Sequence, residues 1–243
     1  FYRESYRGFY STKEETFLTE KDRLPDGSFA PMWGEVQELI EDNYYFKLSV
    51  HQQWLIDYIE SHPEFIYPEY RKNEVLGFLK NEKLEDLCIS RPKARLSWGI
   101  PLPFDPEYVT YVWFDALVNY FTIAAAYGDT QALKSISLTK DDFPETAQQE
   151  RQLWPADLHV IGKDIVKFHA VYWPIMLRAI GVPLPKKLAV HGWWQKDNLK
   201  MSKSTGNVVE PIAVIEEWGL DAFRYYVLRE LEVGPDGNWT DAG

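Results

Sequence analysis

Residues 157–193 read DLHVIGKDIVKFHAVYWPIMLRAIGVPLPKKLAVHGW, and their pattern sets the fold. The apolar run ending at Ile161 has the length of a short buried strand, and Gly162 breaks it. From Lys163 the apolar residues recur at helical spacing as far as Gly181, with Pro174 expected to kink the helix. A second strand-like run, KLAVHGW, fills 187–193. Strand, helix and strand in this order predict a parallel sheet with crossover helices, an α/β fold.

Downstream stands KMSKSTGN (200–207), a polar loop between apolar runs. It is followed by PIAVIEEWG (211–219), where Pro211 suits the first turn of a helix. Asp221 is placed to cap a last helix through AFRYYVLREL (222–231). Upstream, YVTYVWF (108–114) predicts a strand with Asp115 at its end, passing into a helix that Gly128 caps. Residues 129–155 are polar and predict a surface excursion. The first 47 residues are aromatic and turn-rich, with β-like pieces near YRGFYS (6–11) and YYFKLS (44–49) and a turn at Pro25-Asp26-Gly27. Ser49 suits the cap of a helix over 50–62 that Pro63 stops, and a second helix is expected from Lys72. LCIS (87–90) is a candidate strand, and the proline-rich 91–107 is expected to be irregular.

With 243 residues, 45% apolar and 16% aromatic, the chain can bury a sizeable core in one large domain or two smaller ones. A formal charge of -11 excludes a broad basic surface for nucleic acid, so any polynucleotide contact must be local. The single cysteine, Cys88, excludes an internal disulfide and a cysteine-rich zinc site, and it suits a reducing compartment. No apolar run is long enough to span a bilayer and no secretory leader is visible, so no membrane partner is expected. The chain opens on Phe1 rather than methionine and reads as the remainder of something longer.

In open parallel sheets, ligands bind beyond the carboxyl ends of the strands. Three features fall there. Gly162 lets a ligand approach the backbone, and Asp164 can accept hydrogen bonds from ribose hydroxyls or an ammonium group; it fits a helix cap equally well. His191, Gly192 and Trp193 end the next strand, where an adenine can stack or the chain can simply turn. Lys200 and Lys203 stand three apart on a glycine-terminated loop, with Ser202, Ser204 and Thr205 as further donors, an arrangement suited to wrapping a polyphosphate. Neither a Walker P-loop nor a G-x-G-x-x-G turn occurs in the chain, which disfavours those two nucleotide folds.

Taken in order, YRGFYSTKEETFLTE (6–20), EDNYYFKLS (41–49), ISRPKARLSWGIP (89–101), YVWFDALVNY (111–120), IGKDIVKFHAVYWPIML (161–177), the strand ending in HGW, and KMSKS (200–204) resemble the class I methionyl-tRNA synthetases across almost the whole chain. The resemblance implies a partial Rossmann-like catalytic domain. In it, 1–100 would be a zinc-free connective region, 101–218 the second half of the catalytic domain with the lysine loop, and 219–243 the start of a following helical region. It implies activation of methionine by ATP, with Mg2+ accompanying the nucleotide, and transfer to tRNA(Met). Lys200 and Lys203 would stabilise the departing pyrophosphate. Gly162 and Asp164 would face the ribose, His191, Gly192 and Trp193 the adenine, and Ser202 and Ser204 the phosphates. Trp113, Ala116, Tyr120, Ile165, His169 and Tyr172 would enclose the methionine side chain, with Arg91 near its carboxylate.

Two departures qualify the resemblance. The family's H-I-G-H-like tetrapeptide is missing, since the five histidines, His51, His62, His159, His169 and His191, stand in other contexts; the chain alone is therefore expected to be inactive. With Cys88 alone, the structural zinc that many relatives carry is not expected. Leu117 also stands where many relatives have proline. A leucyl, isoleucyl, valyl or cysteinyl relative and a noncatalytic nucleotide-binding or interaction module are the alternative readings. The expected compartment is the cytoplasm or the mitochondrial matrix.

Overall fold

Leu188 pairs with His159 on one side and with Ile66 on the other, both times in parallel, at the centre of the sheet expected from 157–193. In the computed structural model, residues 1–13, 16–127, 129, 152–202 and 206–240 are described. Up to Ala126 these form β1 (Tyr2–Ser11), β2 (Thr16–Leu18), β3 (Val36–Phe46), α1 (Gln52–Ser61), β4 (Ile66–Tyr67), α2 (Glu69–Asn81), β5 (Leu87–Cys88), β6 (Ser90–Pro92), β7 (Pro101–Leu102), β8 (Asp105–Thr110), α3 (Val112–Ala116) and α4 (Asn119–Ala126). Then follow β9 (His159–Gly162), α5 (Trp173–Ala179), β10 (Leu188–His191), β11 (Trp194–Lys196), β12 (Leu199–Lys200), α6 (Pro211–Trp218), α7 (Leu220–Arg229) and β13 (Gly237–Trp239).

The backbone divides into two compact units: Phe1–Ser49 with Glu85–Ala116, and Val50–Leu84 with Leu117–Gly243. This division interleaves along the chain, whereas three successive segments were expected from the sequence.

The first unit is antiparallel. β1 and β3 pair over ten registers, from Tyr2 opposite Tyr45 to Ser11 opposite Val36, and β2 and β5 flank them. The hairpin is much longer than the short pieces expected; half of β1 is exposed, so it carries no apolar alternation that would mark its length. A second antiparallel sheet has the order β6-β8-β7. Here the structure differs from the sequence reading: the strand stops at Thr110, and Trp113, Phe114 and Asp115 are helical in α3.

The second unit holds the parallel sheet β4-β10-β9. Its inward residues, Ile161, Leu188 and Val190, are 2% exposed or less, and burial of each contributes about 1.5–3 kcal/mol before entropy is counted. Between β9 and β10 the chain crosses over through a 3-10 turn at Lys163–Ile165, a π-helical stretch at Phe168–Tyr172 and α5. Pro174 follows directly on the π stretch within one continuous helical run, so the irregularity expected at the proline falls in the turn just before it. Ser49 opens a 3-10 turn instead of capping α1, and its N–H donates to Asp86 Oδ1. Asp221 lies inside the first turn of α7, two residues beyond the cap position, which Gly219 holds. The excursion at 129–155 falls mostly outside the described residues, as does Gly128, but its edges are buried: Asp129 Oδ2 accepts the N–H groups of Leu153 and Trp154, and Trp154 is 2% exposed. Among the described residues no helix is long and apolar enough to cross a membrane.

Candidate active site

Gly162 ends β9 and His191 ends β10, and the two are register partners, so both strands deliver their carboxyl ends to one edge. A Cβ on Gly162 would meet Asp164 Oδ1 at 2.6 Å and His191 Cε1 at 3.6 Å, so a side chain there would displace the Asp164 carboxylate from its present place. Asp164 is exposed and spends one oxygen on the chain itself: its Oδ1 accepts the indole N–H of Trp193 at 3.2 Å. That leaves Oδ2 for a ligand hydroxyl. His191 Nδ1 donates to the Gly192 carbonyl at 2.7 Å. Gly192 is buried under another backbone segment, and a Cβ on it would lie 2.0 Å from the Pro235 carbonyl oxygen.

Trp193 is the hub of this edge. The ammonium groups of Lys163 and Lys200 each lie 4.2 Å from the centre of its ring. Lys200 reaches it because β11 and β12 fold back through a tight hairpin in which Asp197 and Asn198 adopt φ of 53° and 61°, the left-handed pair of a two-residue turn. β13 pairs with β11 in parallel, and Asp236 just before it receives the Trp193 N–H at 2.9 Å and Lys163 Nζ at 2.6 Å. These contacts hold the Asp236 carboxyl below the usual carboxylate range, the Lys163 bond most strongly.

The described part of the lysine loop is held by Asn207. Its Oδ1 accepts the Ser202 N–H at 2.9 Å and its Nδ2 donates to the Lys200 carbonyl at 3.1 Å. Lys203 and Ser204 lie outside the described residues.

In the same unit Tyr120, on α4, meets the crossover. Its hydroxyl lies 2.8 Å from His169 Nε2, and His169 Nδ1 lies 3.0 Å from the Ile165 carbonyl. A carbonyl only accepts, so Nδ1 bears the proton and the tyrosine donates to Nε2. Burial lowers the His169 pKa and raises that of Tyr120, keeping both neutral. The Tyr120 ring packs 4.2 Å from that of His159 and 6.3 Å from that of Trp173. Tyr172 is half-buried and packs edge-on against Phe168.

Arg91, Trp113 and Ala116 belong to the first unit. Arg91 Nη1 donates to the Ser90 carbonyl at 3.1 Å and to Cys88 Sγ at 3.3 Å, and its guanidinium covers the Tyr111 ring at 4.9 Å. Trp113 and Ala116 lie on α3, both half-buried.

The structure thus gathers Gly162, Asp164, His191, Gly192, Trp193 and Lys200 at one sheet edge, and Tyr120, Ile165 and His169 in one hydrogen-bonded chain. Sequence reasoning overlooked Lys163, Asp236, Asn207, His159 and Trp173. Lys163 beside Gly162, and the Trp173-Pro174 pair on the crossover, were visible signals. Asp236 sits in a Pro-Asp-Gly run that reads only as a turn. Among the described residues no group of three His, Cys, Asp or Glu side chains is placed to hold a metal ion.

The parallel sheet with its crossover and strand-end loops is the α/β architecture of the class I synthetases. The chain belongs to the family of tRNA synthetases class I (M), which it matches over residues 29–243. It is 46% identical over 236 residues to a methionine–tRNA ligase of Clostridium perfringens, covering 97% of this chain and 34% of that protein. With a methionine–tRNA ligase of Caldanaerobacter subterraneus the identity is 44% over 240 residues, again 34% of the relative's length. The chain therefore spans about a third of the curated relatives it matches. Among solved structures, a Mycobacterium tuberculosis methionyl-tRNA synthetase bound by methionyl-adenylate superposes with a TM-score of 0.78 at 40% identity, over 99% of this chain and 44% of that one. Its apo form gives 0.76 at 37% identity.

Proposed function

We propose that this chain works within a methionine–tRNA ligase, in which the methionine carboxylate attacks the α-phosphorus of ATP, pyrophosphate leaves, and the methionyl group passes to the terminal adenosine of tRNA(Met). The observation that carries the reading is the Tyr120–His169 pair: a neutral hydroxyl and a neutral imidazole fixed in an aromatic surround. A thioether is polarizable and nearly apolar, so aromatic walls suit it, and one fixed polar group supplies the discrimination that packing alone limits to about 1–3 kcal/mol. Ile165 and Tyr172 are assigned to the methionine side.

The nucleotide belongs at the edge formed by β9 and β10. Gly162 admits the ribose to the backbone, Asp164 Oδ2 accepts its hydroxyls, and the His191–Trp193 strand end flanks the adenine. As the bond between the α- and β-phosphates breaks, charge grows on the departing pyrophosphate, and Lys200 and Lys203 stabilise it, with Ser202 and Ser204 as further donors. A cation that meets growing charge lowers the barrier, by analogy with an oxyanion donor, by about 2.7–4 kcal/mol. Mg2+ enters with ATP as part of the substrate. The bacterial relatives favour the cytoplasm over an organelle matrix as the place of work.

The test is amino-acid-dependent ATP–pyrophosphate exchange with the full-length protein. Methionine should support exchange while leucine, isoleucine and valine do not; exchange driven by one of those three instead would reassign the substrate.

A further inference from the structure

We propose that Asp236 is a positioning residue for the nucleotide site, holding Lys163 against the Trp193 ring so that a second fixed cation stands there beside loop residue Lys200. The proposal rests on the reading of this edge as the ATP site and adds two residues to it.

Three observations carry it. First, the Asp236 carboxylate is the common acceptor for separate pieces of the site: Lys163 from the turn after β9, the backbone N–H of Trp193 after β10, and Gln195 Nε2 at 3.4 Å on β11. Secondly, Lys163 and Lys200 approach the same indole to the same distance, 4.2 Å from its centre. Two ammonium groups so placed repel each other, and the carboxylate 2.6 Å from one of them offsets that repulsion. Thirdly, the Asp236 backbone cannot drift. The Gly192 position leaves no room for a Cβ against Pro235, and the Gly237 N–H donates to the Trp193 carbonyl at 2.8 Å. The pair is partly shielded, with 22% of the Lys163 side chain and 28% of the Asp236 side chain exposed, so solvent screens it less than it does the outer ion pairs. Lys163 is thereby held between Asp236 and the Trp193 ring, next to Asp164 in sequence, where an incoming phosphate meets it already ordered. The gain for binding lies in that preorganisation.

The experiment uses the full-length protein with Asp236→Asn, Asp236→Glu, Lys163→Gln and the Asp236→Asn/Lys163→Gln double variant. Trace acetylation read by mass spectrometry should label Lys163 about fivefold faster in Asp236→Asn than in the wild type, because its charge-assisted hydrogen bond is lost. In the exchange assay, Asp236→Asn and Lys163→Gln should each raise the KM for ATP about tenfold, leave kcat within about threefold and leave the KM for methionine unchanged. The double variant should be no worse than Lys163→Gln, and Asp236→Glu should recover most of the ATP KM. Unchanged Lys163 labelling in Asp236→Asn, full additivity of the two single variants, or a methionine KM rising in step with that of ATP would each overturn the proposal. If Asp236→Asn does not fold, Lys163→Gln, which keeps the Trp193 N–H bond, decides the matter by the ATP KM. A wild-type protein without methionine-dependent exchange would sink the functional reading, while the labelling result would still judge the Asp236–Lys163 pair.

Discussion

The Tyr120 hydroxyl donates to His169 Nε2 at 2.8 Å while the Ile165 carbonyl fixes the proton on His169 Nδ1 at 3.0 Å. The tyrosine is thus oriented by a buried histidine whose tautomer the crossover backbone selects. Tyr120→Phe removes the donor and leaves Nε2 unsatisfied in a residue that is 3% exposed. We expect a loss of about 1–3 kcal/mol in stability, read by urea unfolding, together with a higher KM for methionine and an unchanged KM for ATP.

His159 gives the fold a pH dependence of definite sign. It is 5% exposed, its Nε2 has no hydrogen-bond partner among the described residues, and burial, with His169 nearby, pushes its pKa down to about 4. Between the unfolded value near 6.5 and 4, the unfolded chain binds a proton that the native state refuses, so stability falls as pH falls through that window. The loss is on the order of 3 kcal/mol from this group, and His169, also depressed, adds in the same direction. Unfolding followed from pH 7.5 to 4.5 should show the slope, and His159→Gln should flatten it.

Two glycines at the same edge should answer differently to alanine. At Gly192 the new Cβ meets backbone at 2.0 Å, and backbone anchored by β13 cannot yield, so Gly192→Ala should cost about 3 kcal/mol or more in a thermal melt. At Gly162 the obstacle is the end of the Asp164 side chain at 2.6 Å, which can swing away. Gly162→Ala should therefore melt within about 1 kcal/mol of the wild type, yet bind ATP more weakly because Asp164 is displaced.

Asn207 spans the start of the lysine loop through both ends of its amide. Asn207→Ala should slow adenylation about tenfold, the kinetic equivalent of one net hydrogen bond or slightly more. Asn207→Asp, which keeps the acceptor for Ser202 and loses the donor to Lys200, should fall between. Pre-steady-state adenylate formation distinguishes the three proteins.

Much of this was legible in the sequence where local pattern and burial agree. The strands around Ile161 and Val190 are continuous apolar runs bounded by glycine, and such runs leave few alternatives. The β1–β3 hairpin was not, because half of β1 is exposed and two of the three residues that β3 buries are the polar Glu41 and Asn43, so neither strand carries an apolar alternation to read. Residues 111–114 misled for another reason: Tyr, Val, Trp and Phe favour a strand intrinsically, and the tertiary setting turned Val112–Ala116 into a helix. Gly162, Asp164, Trp193 and Lys200 could be assigned to one sheet edge because they end or follow neighbouring strands. Asp236 could not, since its partner Lys163 is 73 residues away and nothing local marks the pairing.

The most direct test of the central claim is single-turnover formation of methionyl-adenylate by the full-length protein carrying both Lys200→Met and Lys203→Met. If the lysines act on the pyrophosphate as it departs, the rate should fall about 100-fold or more while methionine binding changes little. A rate equal to that of the wild type would contradict the account.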